Sequence, residues 1–408
     1  VTSQQAGKKI VVGRDGRISG EMVRHLVVAT LQSLGFDVLD LGLSTTPTVE
    51  MAVKMEQASG GIILTPSHNP KEYNGYKAYW DDGAQLVPPH DKNVIAEVEK
   101  ISSVDEVKWS GGEHNITIIG KEMDELYLQM VKGLSVYPEV CIAQHDLKIV
   151  YTPIHGSGIM LVPDALKKLG FDNVHIVEEQ SKPDGNFPTV IYPNPEETET
   201  MSIGLKKAQE LNADILLGTD PDADRVGIGV KNNKGEWILM NGNQTALLAF
   251  NYMIEARKVK GIAQPNDMVI KTIVTTNMID EIAKANQVNC YNVLTGFKWI
   301  SSLIKEKEGK ENYIVGGEES FGLMIGNEIR DKDSVSACTI LCEMADHNSL
   351  LDGCLSSNKI LSLRRGCKIF HSRIILWRSS TLKHVPPNAA FFSVFFGFLL
   401  LIRGFPDS

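Results

Sequence analysis

The order of strands and helices is indicated first by residues 9–41, whose sequence is KIVVGRDGRISGEMVRHLVVATLQSLGFDVLDL. Lys9–Gly13 is a β-branched run that ends at glycine, which is typical of a short buried strand. From Glu21 to Leu34, apolar side chains at helical spacing predict an amphipathic helix, namely Met22, Leu26, Ala29 and Leu34. A second apolar run, Val38–Leu41, follows. This alternation favours a mostly parallel sheet.

The same alternation recurs along the chain. A helix is predicted to begin at Pro47, because proline is favoured in the first helical turn, and Gly61–Leu64 is a third strand. Further strands are predicted at 147–151, 174–177, 215–217, 268–270, 291–294 and 313–315, with a helix over 160–169. We therefore predict three consecutive, similar α/β domains with mostly parallel mixed sheets. Their predicted ranges are 1–142, 143–258 and 259–345, followed by an atypical C-terminal tail, 346–408.

Composition narrows the class of partner. The chain has 408 residues and a net charge of -9, which argues against a surface built to neutralise nucleic-acid phosphates. Six cysteines without paired spacing favour a reducing, cytoplasmic location, and no membrane association is expected. These features favour a small-molecule partner and leave the oligomeric state open.

The tail differs from the body of the chain. Residues 351–408 contain eight Lys and Arg against two Asp, and the apolar run Phe391–Ile402 is twelve residues long. A membrane-spanning helix needs about 20 apolar residues, so a tail anchor is disfavoured. We hypothesise that the segment is a translated wrong frame or an unrelated exon. Sequencing the transcript across codons 340–360 tests this, and an uninterrupted, reproducible frame would contradict it.

Three polar clusters directly follow predicted strands, where open α/β sheets bind their ligands. The first is Thr65–Pro70, TPSHNP, followed by Asn74–Lys77. Its two prolines stiffen the loop around Ser67, whose hydroxyl can carry a covalent phosphate while His68 and Lys77 move protons or offset charge. An ordinary turn, in which polar side chains satisfy the backbone, explains the same residues.

The second cluster is Gly218–Arg225, GTDPDADR. Its carboxylates at alternate positions can converge on one hard cation, and oxygen-only ligation suits Mg²⁺; they are Asp220, Asp222 and Asp224. An EF-hand is excluded, because Arg225 and Lys231 stand where that loop requires glycine and glutamate. Arg225 can bind a phosphate with two hydrogen bonds. A solvated acidic turn is the alternative interpretation.

The third cluster is Gly316–Gly322, GGEESFG, in which Glu318 and Ser320 suit sugar hydroxyls. Just before it, Thr295–Lys298, TGFK, brings Gly296 and Lys298 past another strand end. Alone, each segment is better explained as a plain loop. Their shared position at strand ends favours a site.

Together the three loops, in this order and spacing, resemble those of the α-D-phosphohexomutases. The runs Arg330–Ala337, RDKDSVSA, and Pro183–Pro188, PDGNFP, resemble in particular the phosphoglucomutase, phosphomannomutase and phosphopentomutase branch. The resemblance covers residues 8–345. It implies transfer of a phosphoryl group between C1 and C6 of an aldose phosphate, or C1 and C5 of a pentose. The family uses Mg²⁺, an active-site phosphoserine and a bisphosphorylated intermediate, with glucose 1,6-bisphosphate as activator.

The resemblance also implies a role for individual residues. Ser67 would be the phosphoserine, and its phosphate would share Mg²⁺ with Asp220, Asp222 and Asp224. Arg225 would contact that phosphate, and His68 and Lys77 would transfer protons. The implied substrate ligands are Glu318, Ser320, Gly296, Lys298 and, less directly, Arg14 and Arg17.

One departure from the family keeps a second function class open. The fourth domain, with its R-x-S-G-T-E-P loop for the non-reacting phosphate, is not found after residue 345. The first interpretation is therefore a phosphohexomutase acting on glucose phosphates, with mannose or pentose phosphates as alternatives. The second is an inactive remnant that binds Mg²⁺ and sugar phosphates. An aspartyl-phosphate phosphatase using Asp220 is disfavoured by the residues that follow it.

Overall fold

The computed structural model describes residues 9–108, 115–232 and 234–351, which form three sheets. The predicted tail from 352 onward lies outside the described residues. The strands of the first sheet are β1 (Lys9–Arg14), β2 (Asp37–Leu43), β3 (Gly61–Leu64), β4 (Lys77–Tyr79) and β5 (Ile116–Ile118). The helices of this part are α1 (Gly20–Ser33), α2 (Thr46–Met55), α3 (His90–Val98), α4 (Lys121–Gly133) and α5 (Pro138–Ala143).

The second sheet contains β6 (Ile149–Thr152), β7 (Val174–Ile176), β8 (Ile215–Thr219), β9 (Val226–Lys231) and β10 (Trp237–Met240), with helices α6 (Val162–Leu169) and α7 (Thr198–Glu210). The third contains β11 (Asp267–Thr272), β12 (Asn289–Val293), β13 (Asn312–Gly317) and β14 (Leu323–Ile325). Its helices are α8 (Gly242–Val259), α9 (Met278–Ala285), α10 (Phe297–Lys307) and α11 (Ser334–Leu351). The prediction of three consecutive α/β domains with mixed sheets is confirmed.

Local sequence explains several helix starts. At α2 the Thr45 hydroxyl accepts a hydrogen bond from the Thr48 amide at 3.3 Å, and Pro47 lies in the first turn, where its missing N–H costs nothing. At α8, Asn241 and Gln244 form a reciprocal capping box. Both helices therefore begin where the sequence supplies partners for exposed backbone amides.

The strand orders are β4-β3-β1-β2-β5, β10-β9-β8-β6-β7 and β12-β11-β13-β14. Toward one edge of each sheet, a parallel strand pairs with an antiparallel neighbour, through β3–β4, β8–β9 and β13–β14. These antiparallel strands were not predicted. β4 and β14 have three residues each, too few to show a periodic pattern.

The connections between these paired strands hold the three polar clusters. We name them the serine loop (65–76, between β3 and β4), the aspartate loop (220–225, between β8 and β9) and the glutamate loop (318–322, between β13 and β14). Each holds a non-glycine residue in the left-handed backbone region: Ser67 at φ 55°, Ala223 at φ 58° and Phe321 at φ 66°. Such conformations persist only where surrounding contacts hold them, and they cluster at functional sites.

A shared core joins the three domains. Its largest apolar cluster draws buried side chains from α4, α6, α8, α11 and strands of the second and third sheets. Helix α11 packs against α4, α5, α6 and α8, and its buried thiols Cys338 and Cys342 belong to this core. The predicted boundary at 258 falls within α8, which packs against α9 and β13, so the packing favours a division before that helix.

Among the described residues, none of the helices combines the length and apolarity required to cross a membrane.

Candidate active site

The aspartate loop gathers three buried carboxylates. Asp220, Asp222 and Asp224 are at most 1% exposed, and each offers an oxygen within 4.8 Å of the others. Asp222 Oδ1 and Asp224 Oδ1 have no hydrogen-bond partner, although both are buried. Buried anionic oxygens without partners are costly, and oxygen donors are those that a hard divalent cation prefers. The residues present therefore fit Mg²⁺.

Helix N-termini from two other parts of the chain hold this loop. At the start of α2, the Thr46 hydroxyl donates to Asp222 Oδ2 at 2.7 Å and the Thr46 amide donates to the Asp222 carbonyl. At the start of α11, the Ser334 hydroxyl donates to the Ala223 carbonyl at 2.6 Å. Within the loop, Asp220 Oδ1 accepts hydrogen bonds from the amides of Asp224 and Arg225. The aspartate loop is thus held by the first turns of α2 and α11 and by hydrogen bonds to its own backbone amides.

The serine loop meets the aspartate loop at Ser67. The Ser67 hydroxyl donates to Asp220 Oδ2 at 2.8 Å, although the two residues lie 153 positions apart. His68 Nδ1 lies 3.2 Å from Ser67 Oγ. Ser67 is only partly buried, so its hydroxyl is held by the acidic cluster and still borders solvent.

Two lysines balance the acidic cluster. Lys77 Nζ lies 2.8 Å from Asp222 and 2.9 Å from Asp224, and Lys332 Nζ lies 3.4 Å from Asp224. Burial alone would lower the pKa of Lys77, but these two aspartates outweigh it and raise the pKa well above its usual value. Lys77 therefore remains an ammonium group near neutral pH.

Burial acts differently on the neighbouring acids and on histidine. It raises the pKa of Asp220, and the adjacent Asp222 and Asp224 raise it further. At Asp224, burial is outweighed by Lys332, Lys77 and Arg225, so its pKa is lowered. Burial, together with nearby Arg225, lowers the pKa of His68 to about 4. His68 is therefore neutral at pH 7 and can accept a proton.

Arg225 joins the aspartate loop to the glutamate loop. Its Nη1 donates to the Ser320 carbonyl and to Glu196 Oε1, both at 3.1 Å, and its backbone forms an isolated bridge with Gly322. Its Nε is buried without a hydrogen bond and lies 3.9 Å from Asp224 Oδ1. A guanidinium nitrogen that makes no hydrogen bond, at the edge of the acidic cluster that Ser67 contacts, suits anion binding.

The third sheet supplies the predicted sugar contacts, and only part of that set comes together. Glu318 Oε1 accepts a hydrogen bond from the Gly296 amide at 2.9 Å, and burial raises the pKa of Glu318. Ser320 contacts Arg225 through its carbonyl. The Lys298 ammonium pairs with Asp91 at 3.2 Å. Lys298 remains a predicted substrate ligand.

The two arginines predicted in the first domain differ from each other. Arg14 pairs with Glu21 at 2.8 Å and donates to the Asp15 carbonyl, which directs its guanidinium along α1. Arg17 is 2% exposed and donates to the carbonyl oxygens of Ser67 and Pro70. Both guanidinium groups contact protein atoms, and substrate binding by either remains a prediction.

Sequence reasoning assigned no role to Lys332 or Thr46, although both contact the acidic cluster. Lys332 pairs with Asp331 at 2.9 Å and lies 5.3 Å from the Phe297 ring centroid. Burial would lower its pKa, but Asp224 and Asp331 outweigh burial and raise it. The signal for Lys332 was its place in the RDKDSVSA run. A threonine at a helix start has capping as its ordinary explanation.

These contacts define a class of protein in which three repeated α/β domains bring their β-strand connections to one acidic site. Sequence models of the phosphoglucomutase/phosphomannomutase alpha/beta/alpha domains match in order: domain I at residues 1–105, domain II at 125–235 and domain III at 241–356. The chain therefore belongs to the phosphoglucomutase/phosphomannomutase family.

Individual relatives agree. The chain is 33% identical to a phosphoglucomutase of Staphylococcus epidermidis over 85% of this chain and 63% of that protein. It is 31% identical to a phosphoglucomutase of Staphylococcus haemolyticus over 92% and 67%. The chain thus spans slightly less than two thirds of the first relative's length. A phosphoglucomutase/phosphomannomutase family protein from Burkholderia thailandensis has the same fold, with a TM-score of 0.64 and 21% identity over 85% of this chain and 71% of that one.

Proposed function

We propose that this chain interconverts aldose 1-phosphates and aldose 6-phosphates through a phosphoserine at Ser67. The observation that carries the proposal is the 2.8 Å hydrogen bond from Ser67 Oγ to Asp220. It places the serine hydroxyl of the TPSHNP motif against Asp220, one of the three clustered carboxylates of a separate domain. Membership of the family supports the same conclusion.

In the first half-reaction, the bond between phosphorus and Ser67 Oγ breaks as a bond forms between phosphorus and the sugar hydroxyl oxygen. The hydroxyl proton passes to neutral His68 or to solvent, and Ser67 Oγ is protonated at the end of the step. The reverse transfer, from the other end of the sugar bisphosphate, restores the phosphoserine. Phosphoryl transfer requires mainly positioning and charge neutralisation.

The chain's own residues supply most of that environment. Lys77 pairs with Asp222 and Arg225 lies 3.9 Å from Asp224, so both cations border the acidic cluster that Ser67 contacts. Asp220, Asp222 and Asp224 would hold Mg²⁺ together with the serine phosphate. When bound, the cation withdraws negative charge from the phosphoryl oxygens.

Glucose phosphate is the proposed substrate, and glucose 1,6-bisphosphate is the proposed activator that loads Ser67. Glu318 and Ser320 border the same site from the third domain, and Arg225 connects to Ser320. Carboxylate and hydroxyl groups in this position suit sugar hydroxyls. Mannose and pentose phosphates have the same types of group and are included in the test.

The test is a coupled assay for conversion of glucose 1-phosphate to glucose 6-phosphate, with Mg²⁺ and a trace of glucose 1,6-bisphosphate. Mass spectrometry of residues 65–77 reports phosphate on Ser67. We expect activity and phosphoserine in the wild-type chain and neither in Ser67→Ala. Ser202→Ala, an exposed serine on α7, is the matched control and should retain both.

A folded wild-type chain that binds Mg²⁺ and sugar phosphate without turnover would contradict the mutase proposal. That result would favour the alternative of a binding protein. Activity that survives Ser67→Ala would exclude Ser67 as the phosphate carrier.

A further inference from the structure

We propose that Arg17 is a positioning residue that holds the backbone of Ser67 in its phosphoryl-accepting conformation, rather than a ligand of the substrate. This inference rests on the mutase function proposed above. It concerns the contacts behind the serine loop, between the first and second domains.

The Arg17 side chain binds the backbone of the serine loop. Its Nη2 donates to the Ser67 carbonyl at 2.5 Å, and its Nη1 donates to the Pro70 carbonyl at 2.6 Å. The side chain is about 1% exposed, so these bonds form away from bulk solvent. Two hydrogen bonds from one planar guanidinium fix both the position and the orientation of the segment between these carbonyls.

A second set of hydrogen bonds fixes the other side of Ser67. Asp15 receives a hydrogen bond from the Arg17 amide at 3.0 Å and pairs with Arg17 Nε at 3.3 Å. The same carboxylate accepts the Thr65 hydroxyl at 2.7 Å, and the oxygen of that hydroxyl accepts the Ser67 amide at 2.9 Å. The Ser67 amide and carbonyl are therefore both tied to the buried Asp15–Arg17 pair.

The second domain completes the arrangement. The Arg17 guanidinium lies 4.7 Å from the ring centroid of Phe187, which belongs to the PDGNFP run. Gly185 in that run approaches so closely that a Cβ there would lie 2.5 Å from the Ile18 amide nitrogen. We call Asp15, Arg17, Thr65 and Phe187 the serine clamp. It gives the PDGNFP run a function that local sequence did not indicate.

The serine clamp holds Ser67 in an unfavourable backbone conformation. Ser67 has φ 55°, a left-handed conformation that costs free energy in a residue with a side chain. Asn69 adds only local bonds to the Pro66 carbonyl. Because Arg17 contacts the Ser67 carbonyl and leaves Oγ to Asp220, it positions the reacting oxygen without touching it.

The first test is steady-state kinetics of Arg17→Lys. Lysine keeps the charge but cannot form the two fixed hydrogen bonds, so we expect kcat to fall by about 10²-fold with KM within about twofold, since small misplacement of a reacting group costs this much. A substrate ligand would behave oppositely, with a raised KM and little change in kcat, and that result would overturn the proposal. Arg17→Ala should regain part of its kcat on addition of guanidinium ion.

The second test does not depend on turnover. Hydrogen exchange at the amides of Ser67 and Asn69 should become about tenfold faster in Arg17→Lys and in Phe187→Leu. Unchanged exchange in both folded variants would overturn the proposal even in an inactive chain. Phe187→Leu keeps the test decisive if Arg17→Lys does not fold.

The controls separate this inference from the proposed function. Arg24→Gln removes another ion-paired arginine of the first domain, which contacts Glu21 and Asp40, and should leave kcat and loop exchange unchanged. A wild-type chain in which Ser67 takes no phosphate from glucose 1,6-bisphosphate would contradict the mutase proposal alone. Faster amide exchange in the clamp variants would still support the serine clamp as a positioning device.

Discussion

The serine loop and the aspartate loop occupy equivalent places in two domains and are built in opposite ways. Each connects a parallel strand to its antiparallel neighbour, and each contains a left-handed residue. The aspartate loop has six residues and is buried except at Arg225. The serine loop has twelve residues and is mostly half-buried or exposed. One repeated connection therefore supports two different tasks.

The difference follows from what each loop must hold. Three carboxylates need a fixed, water-poor site with compensating cations, because like charges in close proximity are costly. Helices α2 and α11 provide this fixed support through Thr46 and Ser334. In the proposed reaction Ser67 must remain open to substrate, and the proposed serine clamp accordingly holds its backbone and leaves its hydroxyl free of Arg17.

The largest expected effect comes from removing charge from the rigid loop. Asp222→Asn takes away one carboxylate of the proposed Mg²⁺ site and leaves Lys77 with one fewer anionic partner. We expect activity to fall on the order of 10³-fold, since a catalytic cation contributes several kcal/mol. Calorimetric titration with Mg²⁺ should show weakened binding.

Asp172→Asn is the matched control, because Asp172 is an exposed aspartate of the same domain that pairs with His145 at 3.9 Å. It should retain Mg²⁺ affinity. Unaltered Mg²⁺ binding in Asp222→Asn would contradict the view that the aspartate loop is built to hold this cation.

The next effect concerns the support of the aspartate loop by α11. Glu343 on this helix accepts hydrogen bonds from the amides of Val136 and Tyr137 and from the hydroxyls of Ser135 and Tyr252. Glu343→Ala removes the shared acceptor of these four hydrogen bonds, of which those from Val136 and Tyr252 are buried, so we expect a loss of about 3–5 kcal/mol in the free energy of unfolding. Urea denaturation followed by circular dichroism measures this loss.

Tyr252→Phe removes one of those donors and should cost only about 1 kcal/mol. Equal losses in the two variants would show that Glu343 does not act as the common acceptor. A folded Glu343→Ala chain should also bind Mg²⁺ more weakly, because Ser334 of the same helix contacts the aspartate loop.

The smallest expected effect is a change in the pH dependence of folding stability, caused by Glu50 in α2. Glu50 is fully buried, and burial, reinforced by Asp331, raises its pKa well above 4.5. From about pH 4.5 up to the raised pKa, the unfolded chain loses a proton that the folded chain keeps, so this group lowers stability as pH rises. Glu50→Gln remains neutral in both states.

We therefore expect the stability of Glu50→Gln relative to wild type to increase with pH across that window, by at most about 1.4 kcal/mol per pH unit. Thermal unfolding measured at several pH values reports the difference. Glu97→Gln removes the same charge from an exposed position and tests whether net charge alone explains the change. Parallel curves for Glu50→Gln and wild type would contradict the assignment.

Much of the fold could be predicted from local patterns. The runs at Lys9–Gly13, Gly61–Leu64 and 215–217 are strands, because consecutive apolar and β-branched side chains suit a buried parallel sheet. The antiparallel partners β4, β9 and β14 escaped prediction, and for β4 and β14 the reason is that three residues carry too little periodicity. Their absence from the prediction concealed that all three polar clusters are equivalent connections.

The candidate site was likewise predictable in part from the sequence. The loops containing Ser67, Asp220 and Glu318 were identified from their residues and their place after strands, and the structure brings them together. Lys298 and Arg14, assigned through the family resemblance, pair with Asp91 and Glu21, and their contact with substrate stays a prediction. A sequence shows which charges are present, whereas their partners depend on the packing of distant elements.

The sequence by itself determined the alternation of strands and helices, the three polar loops and the family that these loops resemble. Each of these features depends on residues that are contiguous in the chain. Only the tertiary structure decided that Lys77 pairs with Asp222 across 145 positions and that Arg17 holds Ser67 from behind. The physical reason is that local patterns select secondary structure, whereas ion pairs and hydrogen bonds between domains form only where packed cores bring their atoms within about 3 Å.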